Sequence, residues 1–284
     1  MPARLAGVAV KPARFDYVRA ATLAEAHDVL AAEGGDASVL AGGQTLVPLL
    51  SMRMARPKVL LDIMHVPDLG SIKIEDNAIR VGATARQAAL LEWPELEKHQ
   101  PLLALALPWI GHAQTRSRGT VCGSAALADP SAEIPLVLVA LRGEIELSAR
   151  SGRRRVKAVE FFNGLMSTSR NDDELIEAVR FPCRRGGEGF AFREFARRHG
   201  DFAIVACAAT ADGKNARLAV GGVADRPTAR DFGTLDGPAL DDALHEFAAA
   251  LEAHDDLHAD ARYRRELVRQ LGRTTIDEAR QCRV

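Results

Sequence analysis

Two short glycine-bearing segments constrain this chain most: Ala41-Gly42-Gly43-Gln44-Thr45 and Thr120-Val121-Cys122-Gly123-Ser124. The first follows Ser38-Val39-Leu40, which reads as a short strand, and precedes residues 46–54, which read as a helix. Thr45 is that helix's expected N-cap, Pro48 falls in its first turn where a missing N–H is harmless, and Pro57 closes it. Strand, glycine turn and helix N-terminus in this order can aim main-chain N–H groups at an anion. A glycine pair beside a hydroxyl residue lets the backbone approach a phosphate closely. Two such loops suggest a chain that wraps a large dinucleotide from two sides. The first loop alone suits a helix-initiating turn without ligand equally well. Neither a Gly-x-Gly-x-x-Gly fingerprint nor a Gly-Lys-Ser/Thr phosphate loop is present.

The second loop has more around it. Arg116 and Arg118 lie just upstream, and Asp129, Pro130 and Glu133 just downstream. N–H groups followed by a carboxylate on a tight turn suit a phosphate and then a sugar hydroxyl. The arginines on their own fit solvated surface or interdomain pairs as well.

The rest of the chain reads as mixed α and β. Residues 23–30 carry helical periodicity, with Thr22 and Glu25 as a capping box and Gly34-Gly35 as the stop. Residues 58–64 and 79–81 read as strands, and Thr84 with Gln87 as the cap of a helix ending at Leu91. Helices are expected over 102–111 and from 134 to 141, and a strand pair over 144–147 and 154–156 around Ser151-Gly152. Composition shifts near 177–182. Beyond it, 190–195, 203–210 and 216–222 read as antiparallel strands, and 240–253 and 261–271 as amphipathic helices.

Charge excludes some partners: 38 acids against 37 bases leave a formal net charge of −1, so no basic field argues for nucleic acid. The longest apolar run, 134–141, is far too short to span a bilayer, and residues 1–10 show no leader-like core, so the expected compartment is the cytoplasm. Cys122, Cys183, Cys207 and Cys282 have neither zinc nor iron–sulfur spacing and read as small packed thiols. No nucleophile or acid–base pair stands out, and His112 and His199 read as structural.

The loops also carry a resemblance. Leu40 through Leu50 is similar to the Ala-Gly-Gly-His/Gln-Ser-Leu-Leu-Pro segment of the FAD-binding medium subunits of molybdenum hydroxylases, a group that includes aerobic carbon monoxide dehydrogenase and the flavin portion of xanthine dehydrogenase. Arg116 through Ser124, continuing from Ala128 to Pro135, resembles the second signature of that family. Arg56 to Asp62, Gly221 to Pro227 and Tyr263-Arg264-Arg265 extend the match along the whole chain. Cys122 stands where the family has glycine, Leu127 where many members have histidine, and Arg193 where related subunits carry lysine.

The resemblance implies an α+β fold: a vanillyl-alcohol-oxidase-type (PCMH-type) FAD-binding domain over 1–177, its two α/β lobes meeting at residue 57, then an antiparallel sheet with helices over 178–284. It implies that Ala41, Gly42, Gly43, Gln44 and Thr45, with Thr120, Val121, Cys122, Gly123 and Ser124, bind the FAD pyrophosphate. Asp129 and Glu133 would add acidic contacts, and Ile110, Ile176 and Arg193 further cofactor contacts. It implies no catalytic residue or metal on this chain. The [2Fe–2S] clusters and molybdopterin belong to a small iron–sulfur subunit and a large subunit, assembled as a dimer of heterotrimers in which the C-terminal domain and the flavin edge face the small subunit. Electrons would pass from the clusters to FAD and on to an external acceptor. A nucleotide-binding assembly protein without turnover, or a stand-alone FAD oxidase, is the alternative.

Overall fold

The computed structural model describes residues 11–282, so the stretch 1–10 read for a leader lies outside the described residues. The first lobe is built from β1 (Asp16–Arg19), α1 (Leu23–Glu33), β2 (Ala37–Leu40), α2 (Leu46–Ser51) and β3 (Val59–Asp62). Its three strands are parallel in the order β1-β3-β2, so β3, buried along its whole length, is the central strand. This corrects the expected division at residue 57, which would cut the central strand from its own sheet. Strands buried on both faces read as continuous apolar runs, and Val59-Leu60-Leu61 is one. The expected capping box on α1 is present: Thr22 Oγ1 accepts the Glu25 N–H at 3.1 Å, and Glu25 Oε2 accepts the Ala21 N–H at 2.7 Å. Ala26, Leu30, Leu61, Ile63 and Val66 form this lobe's core.

The second lobe runs from β4 (Ile72–Glu75) and β5 (Ala78–Gly82) through α3 (Gln87–Leu91), α4 (Leu96–His99), α5 (Pro101–Ala106), α6 (Ala113–Arg118), α7 (Val121–Leu127) and α8 (Glu133–Ala140). It returns through β6 (Glu144–Ala149), β7 (Gly152–Lys157), the short α9 (Ala158–Phe161), the small pair β8 (Phe162–Gly164) and β9 (Ser167–Thr168), and β10 (Leu175–Pro182). The large sheet is antiparallel, ordered β4-β5-β10-β6-β7, with β10 in the middle. A boundary at 177 would therefore cut β10, and the second lobe's sheet continues to Pro182. The helix expected over 102–111 is divided: α5 ends at Ala106, and Pro108 sits in a 3₁₀ turn, Leu107–Trp109. One face of the sheet, with Ile79, Val81, Ile145, Leu147 and Val179, packs under α5, α7 and α8. The other carries an ion-paired ladder that includes Arg80–Glu146 (2.7 Å) and Arg153–Glu177 (2.7 Å).

The C-terminal unit is a four-stranded antiparallel sheet, β11 (Glu188–Phe195), β12 (Val205–Asp212), β13 (Asn215–Gly221) and β14 (Thr228–Gly233), with α10 (Gly237–Ala250) and α11 (Ala261–Gln281). Strand alternation divides its side chains between two layers. Phe190, Phe192, Ala206 and Ala208 join the core of the second lobe, while Ala191, Val205, Cys207 and Ala209 pack with α10 and α11. The alanines leave room for α8 to lie directly on β12 and β13. One hydrophobic core thus runs through both units and fixes the C-terminal sheet against the second lobe.

Candidate functional site

The two glycine segments meet. Gly42 lies against the main chain that leads into the second loop: a Cβ there would stand 2.5 Å from Arg118 O, 2.8 Å from Gly119 Cα and 3.0 Å from Thr120 N. Only a residue without a side chain allows this approach. Gly43 has φ +70°, the left-handed region that favours glycine. Among the described residues, the N–H groups of Gly42, Gly43, Gln44 and Thr45 donate to no protein acceptor. Thr45 does not cap α2 with its side chain, contrary to expectation. Its own φ −104°, ψ −46° is already helical, whereas a capping hydroxyl needs an extended N-cap residue.

The second loop is organised by Thr120, which has extended φ −103°, ψ 152°. Its Oγ1 accepts the Gly123 N–H at 3.0 Å, and its carbonyl accepts the Ser124 N–H at 3.2 Å. Val121 N–H is used by Ala85 O at 3.1 Å. Of the five expected donors, those of Thr120 and Cys122 remain without a protein acceptor among the described residues. The other three hold the loop in shape. Cys122 is a packed residue: its Sγ donates to Val81 O at 3.4 Å, and burial pushes its thiol up to about 12. Gln87 does not form the expected box with Thr84. Arg86 is the N-cap of α3, and Gln87 is buried against the second loop, where a Cβ on Gly119 would lie 2.7 Å from Gln87 Oε1. The Gln87 N–H donates to Gly119 O at 2.9 Å, and Arg86 donates to Arg118 O.

Acidic groups follow. Asp129 Oδ1 accepts the Ser131 N–H at 2.9 Å, and burial raises its carboxyl above the usual value. Glu133, the first residue of α8, is 6% exposed. Burial, with Asp129 adding to it, lifts its carboxyl to about 7 against the opposing pull of its own N–H and of Arg116. Arg116 itself clamps the turn before α6, donating from one nitrogen to Ile110 O at 2.8 Å and Gly111 O at 3.0 Å. Ile110 and Ile176 are both buried in the main core, which leaves their main chains, not their side chains, for any ligand.

Arg193, expected as a cofactor contact, is held by an ion pair. It stands on the face of β11 that packs on α11 and forms a two-pronged pair with Glu278. The neighbouring Glu194 faces the second lobe instead, as strand alternation requires. Burial, then Glu133, raises its carboxyl to about 8. Phe190 and Phe192, on that same face, carried the signal that would have found Glu194. His199 stacks on Trp109 (5.4 Å, 12°), and His112 packs on Gly200.

The C-terminal unit also touches the acidic turn. Gly222 N–H donates to Pro130 O at 2.8 Å. The 2%-exposed Arg264 on α11 donates to Gly222 O at 2.6 Å and Ile204 O at 2.7 Å, and pairs with Asp256 at 2.5 Å.

Comparison with known proteins decides the family. Residues 13–184 match the FAD binding domain in molybdopterin dehydrogenase, and residues 190–279 match the CO dehydrogenase flavoprotein C-terminal domain. This chain belongs to the FAD-binding medium subunits of molybdopterin dehydrogenases. The medium-subunit chain is 38% identical to the 6-hydroxypseudooxynicotine dehydrogenase complex subunit alpha of Paenarthrobacter nicotinovorans, covering 95% of this chain and 96% of that one. It is 30% identical to the carbon monoxide dehydrogenase medium chain of Hydrogenophaga pseudoflava, over 94% and 98%. It superposes on a chain of reconstituted CO dehydrogenase from Oligotropha carboxidovorans with a TM-score of 0.90, 31% identity, and 95% and 99% coverage. The chain is thus a subunit of an oxidoreductase with the mixed α+β fold of that family. Among the described residues no helix is long and apolar enough to cross a membrane, and no group of His, Cys, Asp and Glu could hold a metal ion.

Proposed function

We propose that this medium subunit holds one FAD where its two glycine loops meet and works beside a small iron–sulfur subunit and a large molybdopterin subunit, in a dimer of heterotrimers. The observation that carries the reading is the bare main-chain contact of Gly42 with Arg118–Thr120, flanked by N–H groups that have no acceptor in the described protein. Such a cradle suits a pyrophosphate: oxygens without hydrogen atoms meet donors that the fold leaves unused. The donors are Gly42, Gly43, Gln44 and Thr45 from one side and Thr120 and Cys122 from the other. Thr120, Val121, Gly123 and Ser124 keep the second loop rigid through their own bonds. Asp129 and Glu133 supply acceptors for hydroxyl or N–H groups farther along the cofactor, and the main chains at Ile110 and Ile176 close its sides.

When bound, FAD supplies the electron chemistry, so the chain's place in the complex is between iron–sulfur clusters on a partner and an external acceptor. The protein's own contribution is to bind, orient and desolvate. The expected compartment is the cytoplasm. Substrate choice falls to the large subunit; relatives named for a nicotine derivative and for carbon monoxide both match this chain over nearly its whole length. Co-purification tests the assembly: the chain should bring down an iron–sulfur and a molybdopterin protein. Isolation as a lone chain from cells that express all three would overturn the assignment of partners.

A further inference from the structure

We propose that Arg264 is a positioning residue for the cofactor site: from the C-terminal unit it holds Gly222 against Pro130 and so fixes the turn that joins α7 to α8. The proposal rests on the FAD reading above, in which the second glycine loop opens α7 and the turn carries Asp129.

The turn needs an outside hold. Ala128, the C-cap of α7, is 2% exposed and has φ 53°, ψ 36°. A residue with a Cβ keeps that left-handed conformation only where its surroundings impose it. Hydrogen bonds tie the turn to the helices on either side. Ala128 N–H donates to Ser124 O at 3.2 Å, and Ser124 N–H to Thr120 O at 3.2 Å, which links the turn along α7 to the second loop. Asp129 Oδ1 accepts the Ser131 N–H at 2.9 Å, and Asp129 O accepts the Ala132 N–H at 3.1 Å, one residue before α8. Between them, Pro130 O accepts the Gly222 N–H at 2.8 Å, a bond that crosses from one unit to the other.

That bond depends on where the chain leaves β13. Gly222 has φ +79°, and a Cβ on it would lie 2.8 Å from both Ala203 O and Ile204 O. A Cβ on Gly221 would lie 3.0 Å from Pro130 O. Two bare residues therefore let β13 end against the turn. Arg264 locks this approach from behind. One of its nitrogens donates to Gly222 O at 2.6 Å and to Ile204 O at 2.7 Å, just past β13 and just before β12. Another pairs with Asp256 at 2.5 Å, whose Oδ1 is itself held by the N–H groups of His258 and Ala259. The rigid guanidinium fork keeps these donors in fixed directions, which an ammonium on a flexible stem does not. At 2% exposure Arg264 offers nothing to a partner surface, so its bonds serve the chain's own interior. With the clamp released, FAD must order the turn as it binds, at a cost to affinity.

The test compares Arg264→Met with Ile276→Ala in the full chain freed of cofactor. Ile276 is fully buried in the same unit, about 18 Å farther along α11, so its truncation lowers stability without touching the clamp. Hydrogen exchange in peptides covering 128–132 should be faster in Arg264→Met than in Ile276→Ala. FAD, followed by flavin fluorescence, should bind roughly tenfold more weakly to Arg264→Met and as in wild type to Ile276→Ala. Arg264→Lys should fall between wild type and Arg264→Met in both readouts. Should Arg264→Met not fold, Asp256→Asn removes the charge that orients the guanidinium and should move both readouts the same way by a smaller factor. Equal FAD affinity in Ile276→Ala and the clamp variants, whatever their exchange, would overturn the positioning role and leave the FAD reading standing. A wild-type chain that takes up no FAD would overturn both.

Discussion

Gly42 offers the sharpest perturbation in this molecule. In Gly42→Ala the new methyl group would stand 2.5 Å from Arg118 O, 2.8 Å from Gly119 Cα and 3.0 Å from Thr120 N. Ordinary contact distances are about 3.5 Å, so the two loops must separate by roughly 1 Å. All three opposing atoms are main chain, and none can rotate away. Overpacking of this kind costs about 1–3 kcal/mol. If the displacement falls on the donors that face FAD, affinity drops roughly tenfold to a hundredfold at about 1.4 kcal/mol per decade. Two controls separate causes. Gly186→Ala has nothing within 4 Å and ordinary φ, and should be silent in both stability and affinity. Gly34→Ala has φ +51° with open space, so it should cost about 1 kcal/mol of stability from backbone strain while leaving FAD affinity unchanged. The assays are urea unfolding of the cofactor-free chain and fluorescence titration with FAD. A Gly42→Ala protein as stable and as tight for FAD as Gly186→Ala would refute the claim that the loops form one cradle.

Three further predictions follow from buried groups. Arg264→Met strands two buried carbonyls and the Asp256 carboxylate, and should cost about 3 kcal/mol in urea unfolding. Because Gly222 also holds Pro130, FAD affinity should fall in the same variant, and unchanged stability would show that the clamp is idle. In the cofactor-free chain, Glu133 and Glu194 hold their protons to about 7 and about 8, against 4.5 when unfolded. The native state then binds more protons than the unfolded state in this window. The contribution of these two groups to stability should therefore be full below 4.5, fall as pH rises, and level off above about 8, with a slope of at most about 1.4 kcal/mol per pH unit for each group. Glu194→Gln should flatten that slope, and a profile identical to wild type would count against the buried pair. Finally, a thiol reagent at pH 8 should modify the exposed Cys282 in the native chain and spare Cys122, whose thiol burial holds neutral. Mass mapping of labelled peptides reads this directly, and rapid labelling of Cys122 would contradict its packed role.

The sequence made the loops legible because glycine pairs and the Thr120 cap are local signals. Both report a backbone need that neighbouring residues cannot hide. The first lobe's boundary was less legible, since 59–62 pairs with strands that precede it and nothing local marks a strand's partners. Strand β10 shares this fault: its residues look like a composition shift until the sheet is assembled around it. The facing of Arg193 was not legible from its position alone. A strand inverts its facing with each residue, so Arg193 turns to α11 and Glu194 to the second lobe. Alternation of Phe190, Phe192 and Glu194 was present in the sequence, but which face would meet the second lobe depends on packing. Arg264 was likewise visible only as part of a Tyr-Arg-Arg run; its bonds to Ile204 and Gly222 need the tertiary fold.

The central claim is that the cleft between Gly42 and Thr120 is an FAD site. The most direct measurement is the cofactor content of the purified full chain, by absorption spectrum and by chromatography of what denaturation releases. The account predicts a flavin spectrum with FAD as the released species, in about one copy per chain for the wild type and visibly less for Gly42→Ala. A colourless wild-type chain that added FAD cannot reconstitute would contradict it.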